Sequence, residues 1–392
     1  AAGRPGVTSG VLDMVQAVTV ADYRELARRR IPHWLFEYID AGAISEDTLA
    51  ANTADFRRWN LRQRVMRDVS RVSTATTLFG CDLPVPLVLG PVGFAGMFAR
   101  RGETQAARAA ERAGVPLCLS SVSICGLEEV TQAAGVAPWF QLYMIKDRAY
   151  MEALLARAAR LGCPALVFTV DLPVPSRRYR NVRSGMGLWG LRRKLVLGAS
   201  AAKRPGWLWE VMLRGRPHAF GNFAEGIPEA RTLEGFDAWV EHNYEPCLDW
   251  DLLAWVRERW SGPLVIKGIL DPDDARLAVD AGADAVLVSN HGGRQLDGAS
   301  SSIAALPGVV DAVGQRVPVL FDGGIRTGVD VFKALALGAR ACVLGRAWAW
   351  GLAGGGERGV AAVIDMLERE LATTMALAGC TDVRGLGRSA LC

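Results

Sequence analysis

Eight short apolar runs are distributed along the chain, and their spacing constrains the fold more than any other feature. The runs are Pro86–Leu89, Pro116–Leu119, Trp139–Leu142, Ala165–Phe168, Pro263–Ile266, Ala285–Val288, Pro318–Phe321 and Ala341–Leu344. A break rich in glycine, serine or aspartate follows most runs, and a helical pattern follows most breaks. Short continuous apolar runs that alternate with helices are typical of parallel strands buried on both faces. Eight such units predict an α/β fold, the closed (β/α)8 TIM barrel.

Helical patterns lie between the runs and before the first of them. In residues 1–80, the segments Val20–Arg30 and Pro32–Ala41 predict a helical cap that would place Tyr38 near the mouth of the barrel. Residues 81–392 would form the barrel itself, and we expect cap and barrel to act as one functional domain. The helices predicted in the barrel are Glu103–Ala113, Leu127–Ala134, Arg148–Leu161, Pro272–Ala281, Gly328–Leu337 and Gly359–Leu377.

One interval is much longer than the others, because residues 169–262 separate the fourth and fifth apolar runs. We interpret about 180–235 as an insertion after strand four, on the face where barrel enzymes place their active sites. Its segment 186–217 combines three tryptophans with seven basic residues and a single acid, Glu210. Such a segment can lie in a membrane interface. An active-site lid, an oligomer contact and, more weakly, nucleic-acid binding are the alternatives. The basic residues are Arg192, Arg193, Lys194, Lys203, Arg204, Arg214 and Arg216, and the tryptophans are Trp189, Trp207 and Trp209.

The composition excludes several classes of protein. Half of the residues are hydrophobic and the net charge is only +4, which argues against a dedicated nucleic-acid-binding protein. We find no signal peptide and no apolar stretch of about 18 residues that could span a bilayer. The eight cysteines include no C-x-x-C pair, so we expect free thiols in a reducing compartment. No His-Glu-x-x-His motif or carboxylate cluster indicates a metal site.

The run from Ser289 to Gly298 follows the sixth apolar run directly and carries the densest chemical signal. It places the imidazole of His291 three residues before the guanidinium of Arg294, with two glycines between them. A base and a fixed positive charge at the end of a strand suit one task, holding a carboxylate while a proton is taken from the carbon beside it. The glycines would let the backbone approach a flat ligand closely.

Other polar residues follow the apolar runs and would converge with His291 on one pocket. Because the C-terminal ends of all barrel strands meet at one face, these residues can be considered together. Barrel interiors are mostly branched aliphatics, so a polar ring indicates a binding or catalytic site. Its members are Gln141, Tyr143, Thr169, Asp171, Lys267, Ser289, His291, Asp322 and Arg346.

Two glycine-rich turns follow strands seven and eight, Asp322-Gly323-Gly324-Ile325-Arg326 and Gly345-Arg346. These two loops form the usual phosphate site of such barrels, and backbone N–H groups with arginines suit a phosphate monoester. Lys267 could stabilise an anionic ring, and Gln141 and Thr169 could hydrogen-bond a heterocycle edge. The implied ligand is a flat, phosphate-bearing heterocycle, and FMN fits without the extra room that a dinucleotide needs.

Ser289-Asn-His-Gly-Gly-Arg-Gln-Leu-Asp297 resembles the signature of the FMN-dependent 2-hydroxy-acid dehydrogenases and oxidases. The likeness runs from Tyr23 to about Ala378, and within the family it is strongest to the bacterial quinone-linked L-lactate dehydrogenases. The matching motifs are Phe36-Glu-Tyr38, Pro91-Val-Gly93, Trp139-Phe-Gln141-Leu-Tyr143, Phe168-Thr-Val-Asp171, Ile266-Lys-Gly268 and Asp322-Gly-Gly-Ile-Arg326.

The resemblance implies a role for each site residue. His291 would be the catalytic base and Asp171 would pair with its imidazolium. Arg178 and Arg294 would bind the substrate carboxylate, with Arg177 as a neighbouring alternative to Arg178, and Tyr38 and Tyr143 would add hydrogen bonds. The residues that would hold FMN are Pro91, Val92, Gly93, Ser120, Gln141, Thr169, Lys267, Ser289, Asp322, Gly323, Gly324, Arg326, Gly345 and Arg346.

Two positions bear on the subclass that the resemblance implies. Gly93 stands where oxidases resembling glycolate oxidase tend to carry alanine, which favours a dehydrogenase that reacts poorly with oxygen. Val122 stands where glycolate oxidase has a tryptophan, so longer or aromatic hydroxy acids also remain candidates. In mandelate dehydrogenase the corresponding insertion is a membrane anchor, in agreement with the basic, tryptophan-bearing segment described above.

These features together predict an FMN-dependent dehydrogenase that oxidises an L-2-hydroxy acid, foremost L-lactate, and passes electrons to a quinone. It would be peripheral, on the cytoplasmic side of the cell membrane, and a homotetramer as is usual in the family. A mandelate-type dehydrogenase and an oxygen-using oxidase are alternatives within the family. A non-catalytic flavin-binding barrel is an alternative from another class, against which the complete set His291, Asp171 and Arg294 argues.

Overall fold

The structure, a computed structural model, describes residues 17–188, 190–232, 239 and 242–392. Its central feature is a ring of eight parallel strands, which follow a two-stranded hairpin (β1 and β2, described below) in the chain. The barrel strands are β3 (Leu87–Leu89), β4 (Cys118–Ser120), β5 (Trp139–Leu142), β6 (Leu166–Thr169), β7 (Leu264–Ile269), β8 (Ala285–Val288), β9 (Val319–Asp322) and β10 (Ala341–Leu344). They neighbour one another in the order β3-β10-β9-β8-β7-β6-β5-β4, and a parallel bridge between Leu89 and Leu117 joins the two ends. The predicted TIM barrel is therefore confirmed.

Every predicted strand is present, and the strand starts agree with the predicted starts within about two residues, as expected for apolar runs that fit only a buried strand.

The helices that surround the barrel bury their apolar faces against it. In chain order the α-helices are α1 (Val20–Arg30), α2 (His33–Asp40), α3 (Asp47–Ala54), α4 (Ala95–Phe98), α5 (Gly102–Arg112), α6 (Leu127–Ala134), α7 (Arg148–Arg160), α8 (Tyr179–Asn181), α9 (Gly190–Ala202), α10 (Pro205–Trp207), α11 (Trp250–Arg259), α12 (Pro272–Asp280), α13 (Ser302–Val313), α14 (Gly328–Ala336) and α15 (Arg346–Leu377).

Three barrel helices differ from the prediction. Helix α11 was not predicted, and glycine and proline obscure the patterns of α13 and α15. Helix α13 contains Pro307 in its interior and was not predicted. Helix α15 begins at Arg346, well before the predicted start at Gly359, and Gly356 interrupts it with a φ of 61°. The predicted segment is therefore only the second half of a kinked helix.

The bottom of the barrel is closed by a short hairpin. Strand β1 (Thr76–Leu78) pairs with β2 (Cys81–Leu83). Leu78 of β1 and Leu83 of β2 pack against the apolar interior of the barrel. The predicted boundary at residue 80 falls in the turn of this hairpin. The division into a cap of residues 1–80 and a barrel of 81–392 thus remains a prediction.

The N-terminal cap lies against α15 and reaches over the mouth of the barrel. Helix α1 approaches α15 closely at Gly354, where an added Cβ would lie 3.0 Å from the Cβ of Leu26. Helix α3 contacts the loop after β8, because Asn52 and Asn290 exchange two side-chain hydrogen bonds of 2.8 Å. The cap is thereby joined to the loop that carries His291.

The insertion after β6 is mostly helical up to Leu213, and turns and irregular backbone follow over residues 214–227. A π-helical turn (Val182–Met186) follows α8, and a second one (Leu208–Leu213) follows α10. Trp207 is buried and donates from Nε1 to the carbonyl of Met97 at 2.7 Å, which anchors the segment to the barrel. Trp189 lies outside the described residues. Across the described part of the chain, no helix is both long and apolar enough to cross a membrane.

Candidate active site

A cavity of about 490 Å³ opens at the C-terminal ends of the barrel strands. Residues of the cap, of the strand ends and of the first part of the insertion surround it. Most of the residues predicted for the site therefore share one pocket. The predicted residues that line it are Tyr38, Pro91, Val92, Gly93, Tyr143, Arg178, Lys267, His291, Arg294, Asp322, Gly323, Gly324, Arg326, Gly345 and Arg346.

The remaining predicted residues lie directly behind this wall. Ser120 Oγ donates to Gln141 Oε1 at 2.9 Å, and Gln141 Nε2 donates to Thr169 Oγ1 at 3.0 Å. All three side chains are buried. Ser289 is buried as well and donates to Asp322 Oδ2 at 2.7 Å. These residues form a hydrogen-bonded polar layer beneath the cavity.

His291 occupies a strained backbone position at the end of β8. Its φ is 57°, a left-handed value that is uncommon for a residue other than glycine. The Oγ of Ser289 accepts its backbone N–H at 3.0 Å, and Gly292 and Gly293 continue with positive φ. This turn directs the imidazole across the strand ends towards Asp171, and such strain is typical of functional sites.

Asp171 and Lys267 surround one edge of the imidazole. His291 Nδ1 lies 2.8 Å from Asp171 Oδ1, while Lys267 Nζ donates to Asp171 Oδ2 at 3.3 Å. Because the carboxylate accepts from Nδ1, the other nitrogen, Nε2, carries the lone pair that can accept a proton. Burial opposes ionisation of Asp171, but His291 and Lys267 outweigh burial and lower the pKa of this carboxyl to about 2.

The pKa of His291 follows from the balance of the same groups. Burial lowers the pKa of the imidazole below its ordinary value of 6.5, although the Asp171 carboxylate acts in the opposite direction. The imidazole is therefore neutral at pH 7 and able to accept a proton. The carboxylate beside it would stabilise the imidazolium once the proton arrives.

Three tyrosines line the cavity, and one of them, Tyr143, contacts the imidazole. The hydroxyl of Tyr143 lies 3.3 Å from His291 Nε2, and Tyr244 stacks on Tyr143 with ring centroids 5.6 Å apart. Tyr38 enters from the cap, with the guanidinium of Arg294 5.3 Å above its ring. Burial raises the pKa of Tyr143 well above its ordinary value, so this hydroxyl stays protonated and can donate.

Arg178 and Arg294 face the cavity near the imidazole. Arg294 donates to the carbonyls of Ile39 and Ala41 at 3.1 and 3.0 Å, and Arg178 donates to the carbonyl of Arg294 and to Gln295 Oε1, both at 3.3 Å. Burial lowers the pKa of both guanidinium groups. Neighbouring Arg177 also reaches the cavity wall but is exposed, so the geometry favours Arg178 for contact with a buried anion.

Arg326 and Arg346 mark the far end of the cavity. Burial lowers the pKa of Arg326 to about 10 and that of Arg346 to about 9. Like Arg178 and Arg294, neither forms an ion pair with a carboxylate in the part of the chain that the structure describes. Four cations that face one cavity without a paired anion call for an anionic ligand, because unpaired buried charge is costly.

Backbone groups complete this end of the cavity. Gly323 and Gly324 have φ values of 127° and 81°, a conformation that other residues rarely adopt. A Cβ added at Gly345 would meet no atom within 4 Å, so the start of α15 borders open space. No side chain caps that helix, and its first N–H groups would suit a phosphate.

These features fit FMN. Arg326, Arg346 and the uncapped helix would hold its phosphate, the Asp322 carboxylate could accept from ribityl hydroxyls, and Lys267 could lie against an anionic ring. The buried chain of Ser120, Gln141 and Thr169 supplies donors and acceptors at the base of the cavity. A metal centre has no comparable support, because the described residues contain no group of three or more potential ligands.

Several residues of the cavity were not predicted. Tyr244 reaches Tyr143 from the segment between the insertion and β7, and Asn181, Val182 and Met186 line the wall from the near end of the insertion. These residues are far from the strand ends in sequence and belong to no motif. Only the position of the insertion, on the active-site face, indicated that it would contribute to the wall.

Comparisons with known proteins agree with this geometry. The family described as FMN-dependent dehydrogenase matches residues 27–392. An L-lactate dehydrogenase of Caulobacter sp. (strain K31) is 53% identical over 374 residues, which cover 95% of this chain and 98% of that protein. The L-lactate dehydrogenase of Pseudomonas syringae pv. syringae (strain B728a) is 48% identical, with 95% and 98% covered.

A solved structure extends the agreement to the insertion. The monotopic membrane protein (S)-mandelate dehydrogenase superimposes with a TM-score of 0.90 at 33% identity, and the match covers 96% of this chain and 99% of that one. A match of this extent takes in most of the insertion as well as the barrel. The chain belongs to the FMN-dependent dehydrogenases, and it is an FMN enzyme that oxidises a 2-hydroxy acid.

Proposed function

We propose that the enzyme oxidises L-lactate to pyruvate and passes the electrons to a quinone. The observation that carries the proposal is the placement of a carboxylate-paired imidazole beside two partly buried arginines in one cavity. A 2-hydroxy acid needs both features, a base for a proton and fixed positive charge for its carboxylate. Identity of about 50% to two L-lactate dehydrogenases over nearly their full length supports lactate as the acid.

Substrate binding would begin with the carboxylate. Arg178 and Arg294 would each present two parallel N–H donors, which match the two oxygens of a carboxylate. The backbone carbonyls that accept from Arg294 hold its guanidinium in place before substrate arrives. The hydroxyls of Tyr38 and Tyr143 would donate to the carboxylate and to the substrate hydroxyl, and thereby fix which face of C2 is presented.

Proton removal would be the task of His291. Oxidation of lactate to pyruvate releases two electrons and two protons, and His291 Nε2 would accept one of those protons. Asp171 would stabilise the resulting imidazolium across the 2.8 Å contact to Nδ1. Lys267 would keep Asp171 ionised throughout, since it lies against the other carboxylate oxygen. FMN, when bound, supplies the acceptor for the two electrons.

The size of the pocket leaves one alternative substrate. Val122 and Gly93 both line the cavity. Because their side chains are small, this part of the wall would leave room for a substituent larger than the methyl group of lactate. The 33% identity to (S)-mandelate dehydrogenase makes L-mandelate the second candidate.

Anaerobic titration of the purified flavoprotein would test the substrate. We expect L-lactate to bleach the flavin absorbance rapidly and D-lactate to leave it unchanged. A higher kcat/KM for L-mandelate than for L-lactate would replace the proposed substrate. A flavoprotein that no 2-hydroxy acid bleaches would refute the activity.

We also propose that the insertion binds the cytoplasmic face of the cell membrane. Leu191, Leu195, Trp209 and Leu213 are each more than half exposed, and basic residues such as Arg192 and Lys194 lie among them. Exposed apolar side chains among basic ones are typical of interfacial helices. A protein held there would meet a membrane-dissolved quinone directly.

Sedimentation with lipid vesicles would test this attachment. We expect binding to vesicles that contain phosphatidylglycerol and weaker binding to phosphatidylcholine alone. The triple variant Leu191→Ser, Leu195→Ser, Trp209→Ser should remain in the supernatant, whereas Leu277→Ser, an exposed leucine on α12, should bind like the wild type. Equal binding of both variants would refute the assignment.

The acceptor and the assembly complete the proposal. Reduction of a short-chain ubiquinone analogue should be much faster than peroxide formation in air. The opposite ratio would make the enzyme an oxidase. We further propose a homotetramer, which is the assembly that the family resemblance implies and which closed symmetry allows. Sedimentation equilibrium would measure its mass, and a dimer or monomer would refute it.

A further inference from the structure

The start of the insertion is tied to the cap by one arginine. Arg180, in α8, donates from Nε to Glu37 Oε2 at 2.5 Å and from Nη2 to Asp40 Oδ2 at 2.8 Å. Its Nη1 lies 3.3 Å from Glu46 Oε2. A single guanidinium thus contacts three carboxylates of the cap.

Two of the carboxylates that accept from Arg180 are almost completely buried. The side chains of Asp40 and Glu37 are only 5% and 11% exposed. Arg24 contacts Asp40 from the other side, with Nε 2.6 Å from Oδ1. Burial opposes ionisation of Asp40, but the two arginines outweigh it and lower the pKa of this carboxyl. Surface ion pairs contribute little, whereas a buried carboxylate depends on its partners.

The chain segments on both sides of this ion-pair cluster contribute residues to the cavity. On the insertion side, Arg178 precedes Arg180 by two residues and lines the cavity. On the cap side, Tyr38 lies between Glu37 and Asp40 and also lines the cavity. The chain segments that carry Arg178 and Tyr38 are therefore held to each other by Arg180.

The same turn of the cap also holds two cavity arginines. The carbonyl of Ile39 accepts from Arg294 and from Arg346, each at 3.1 Å, and the carbonyl of Ala41 accepts from both at 3.0 Å. Asp40 lies between these two carbonyls in the chain. Displacement of Asp40 would therefore move the supports of Arg294 at the substrate end and of Arg346 at the phosphate end.

We propose that Arg180 is a positioning residue that sets the spacing of the two carboxylate-binding arginines by joining α8 to the end of α2 through Asp40 and Glu37. It does not face the cavity itself. The inference rests on the proposed function, because it assigns Arg178 and Arg294 to the substrate carboxylate. Small displacements of binding groups are known to cost large factors in rate.

Steady-state kinetics of flavin-loaded variants would test the proposal. Arg180→Met should raise the KM for L-lactate about tenfold or more and lower kcat less, because carboxylate binding is loosened while His291 and Asp171 stay in place. Arg180→Lys should recover part of the loss, since an ammonium group keeps the charge but not the planar fork. The matched control is Arg388→Met, which removes an exposed ion pair with Asp311 at 2.7 Å and should leave KM unchanged.

A double variant distinguishes positioning from simple stabilisation. If Arg180 acts through Arg178, the KM increases of Arg178→Lys and Arg180→Met should combine less than multiplicatively. A lower melting temperature with unchanged KM in Arg180→Met would overturn the proposal and leave a structural role only. If Arg180→Met does not retain flavin, Asp40→Asn and Glu37→Gln remove one acceptor each, and an unchanged KM in both would overturn it equally.

The substrate assignment can fail separately. A wild-type enzyme that is not bleached by L-lactate would refute the proposed substrate, and the variants would then be compared with the L-2-hydroxy acid that does bleach the flavin. A KM for that acid that Arg180→Met leaves unchanged would refute the positioning role.

Discussion

The side chains inside the barrel form two layers that differ in polarity, although the layers lie only two positions apart along each strand. The lower layer is apolar and includes Val167, Val265, Leu287 and Leu320. The upper layer on the same strands is Thr169, Lys267, Ser289 and Asp322 in the same order. Because side chains two apart point to the same face of a strand, both layers point into the barrel.

The difference separates stability from function. Apolar side chains in the lower layer, together with the plug formed by Leu78 and Leu83, gain free energy when they leave water. Burial of Lys267 and of the cavity arginines costs free energy, and it is understandable only if a ligand or a reaction uses their charge. A change in the lower layer should therefore affect folding, whereas a change at the upper end should affect chemistry.

The substitution with the largest expected effect is His291→Gln at the upper end. We expect kcat to fall by about 10³-fold, roughly 4 kcal/mol, because a positioned general base contributes factors of about 10² to 10⁴. Flavin content and melting temperature should stay close to those of the wild type. Anaerobic stopped-flow bleaching would measure the rate, and near-normal turnover in a fully flavin-loaded variant would contradict the assignment of His291 as base.

Leu320→Ala in the lower layer should show the opposite pattern. Leu320 is fully buried, and truncation of a buried leucine to alanine costs about 2–5 kcal/mol of the free energy of unfolding. The KM and kcat of the folded enzyme should change little. Denaturant unfolding would measure the loss, with Leu377→Ala as the exposed control. A variant with normal stability but altered KM would contradict the separation of the two layers.

The layered barrel could be predicted from the sequence because local pattern alone determines it. A run such as Ala285–Val288 is too short for a buried helix and too apolar for an exposed loop, so a buried strand is the remaining interpretation. Once eight such runs are placed in one barrel, residues that follow them, such as Lys267 and His291, must meet at one end. Their convergence needed no knowledge of side-chain contacts.

Contacts between distant segments could not be predicted in this way. Tyr244 reaches Tyr143 across the insertion, and Arg180 reaches Asp40 across 140 residues. Neither contact has a periodic or motif signal, because tertiary packing alone brings the partners together. The ambiguity between Arg177 and Arg178 has the same origin. In an irregular loop, the sequence does not indicate which of two adjacent side chains points into the cavity.

Lysine substitution of Arg178 and of Arg177, one at a time, would show which of the two side chains binds the substrate carboxylate. Arg178→Lys should raise the KM for L-lactate about 10- to 100-fold, because lysine cannot present two parallel donors to a carboxylate. Arg177→Lys, one residue away and exposed, should change KM less than about twofold. The reverse result would assign the carboxylate to Arg177 and place the substrate nearer the cavity mouth.

The smallest expected effect is the pH dependence of the wild type. The base must be neutral in the free enzyme, so kcat/KM should be on its plateau at pH 7 and should fall as the pH drops through the pKa of His291, which burial places below 6.5. Asp171 acts to raise that pKa, so Asp171→Asn should move the acidic limb to still lower pH while kcat falls through loss of imidazolium stabilisation. The pH profile of kcat/KM for both proteins would measure the shift. A limb that moves to higher pH in Asp171→Asn would mean that the Asp171 carboxylate does not raise the pKa of His291, because loss of this negative charge and release of Lys267 both act to lower that pKa.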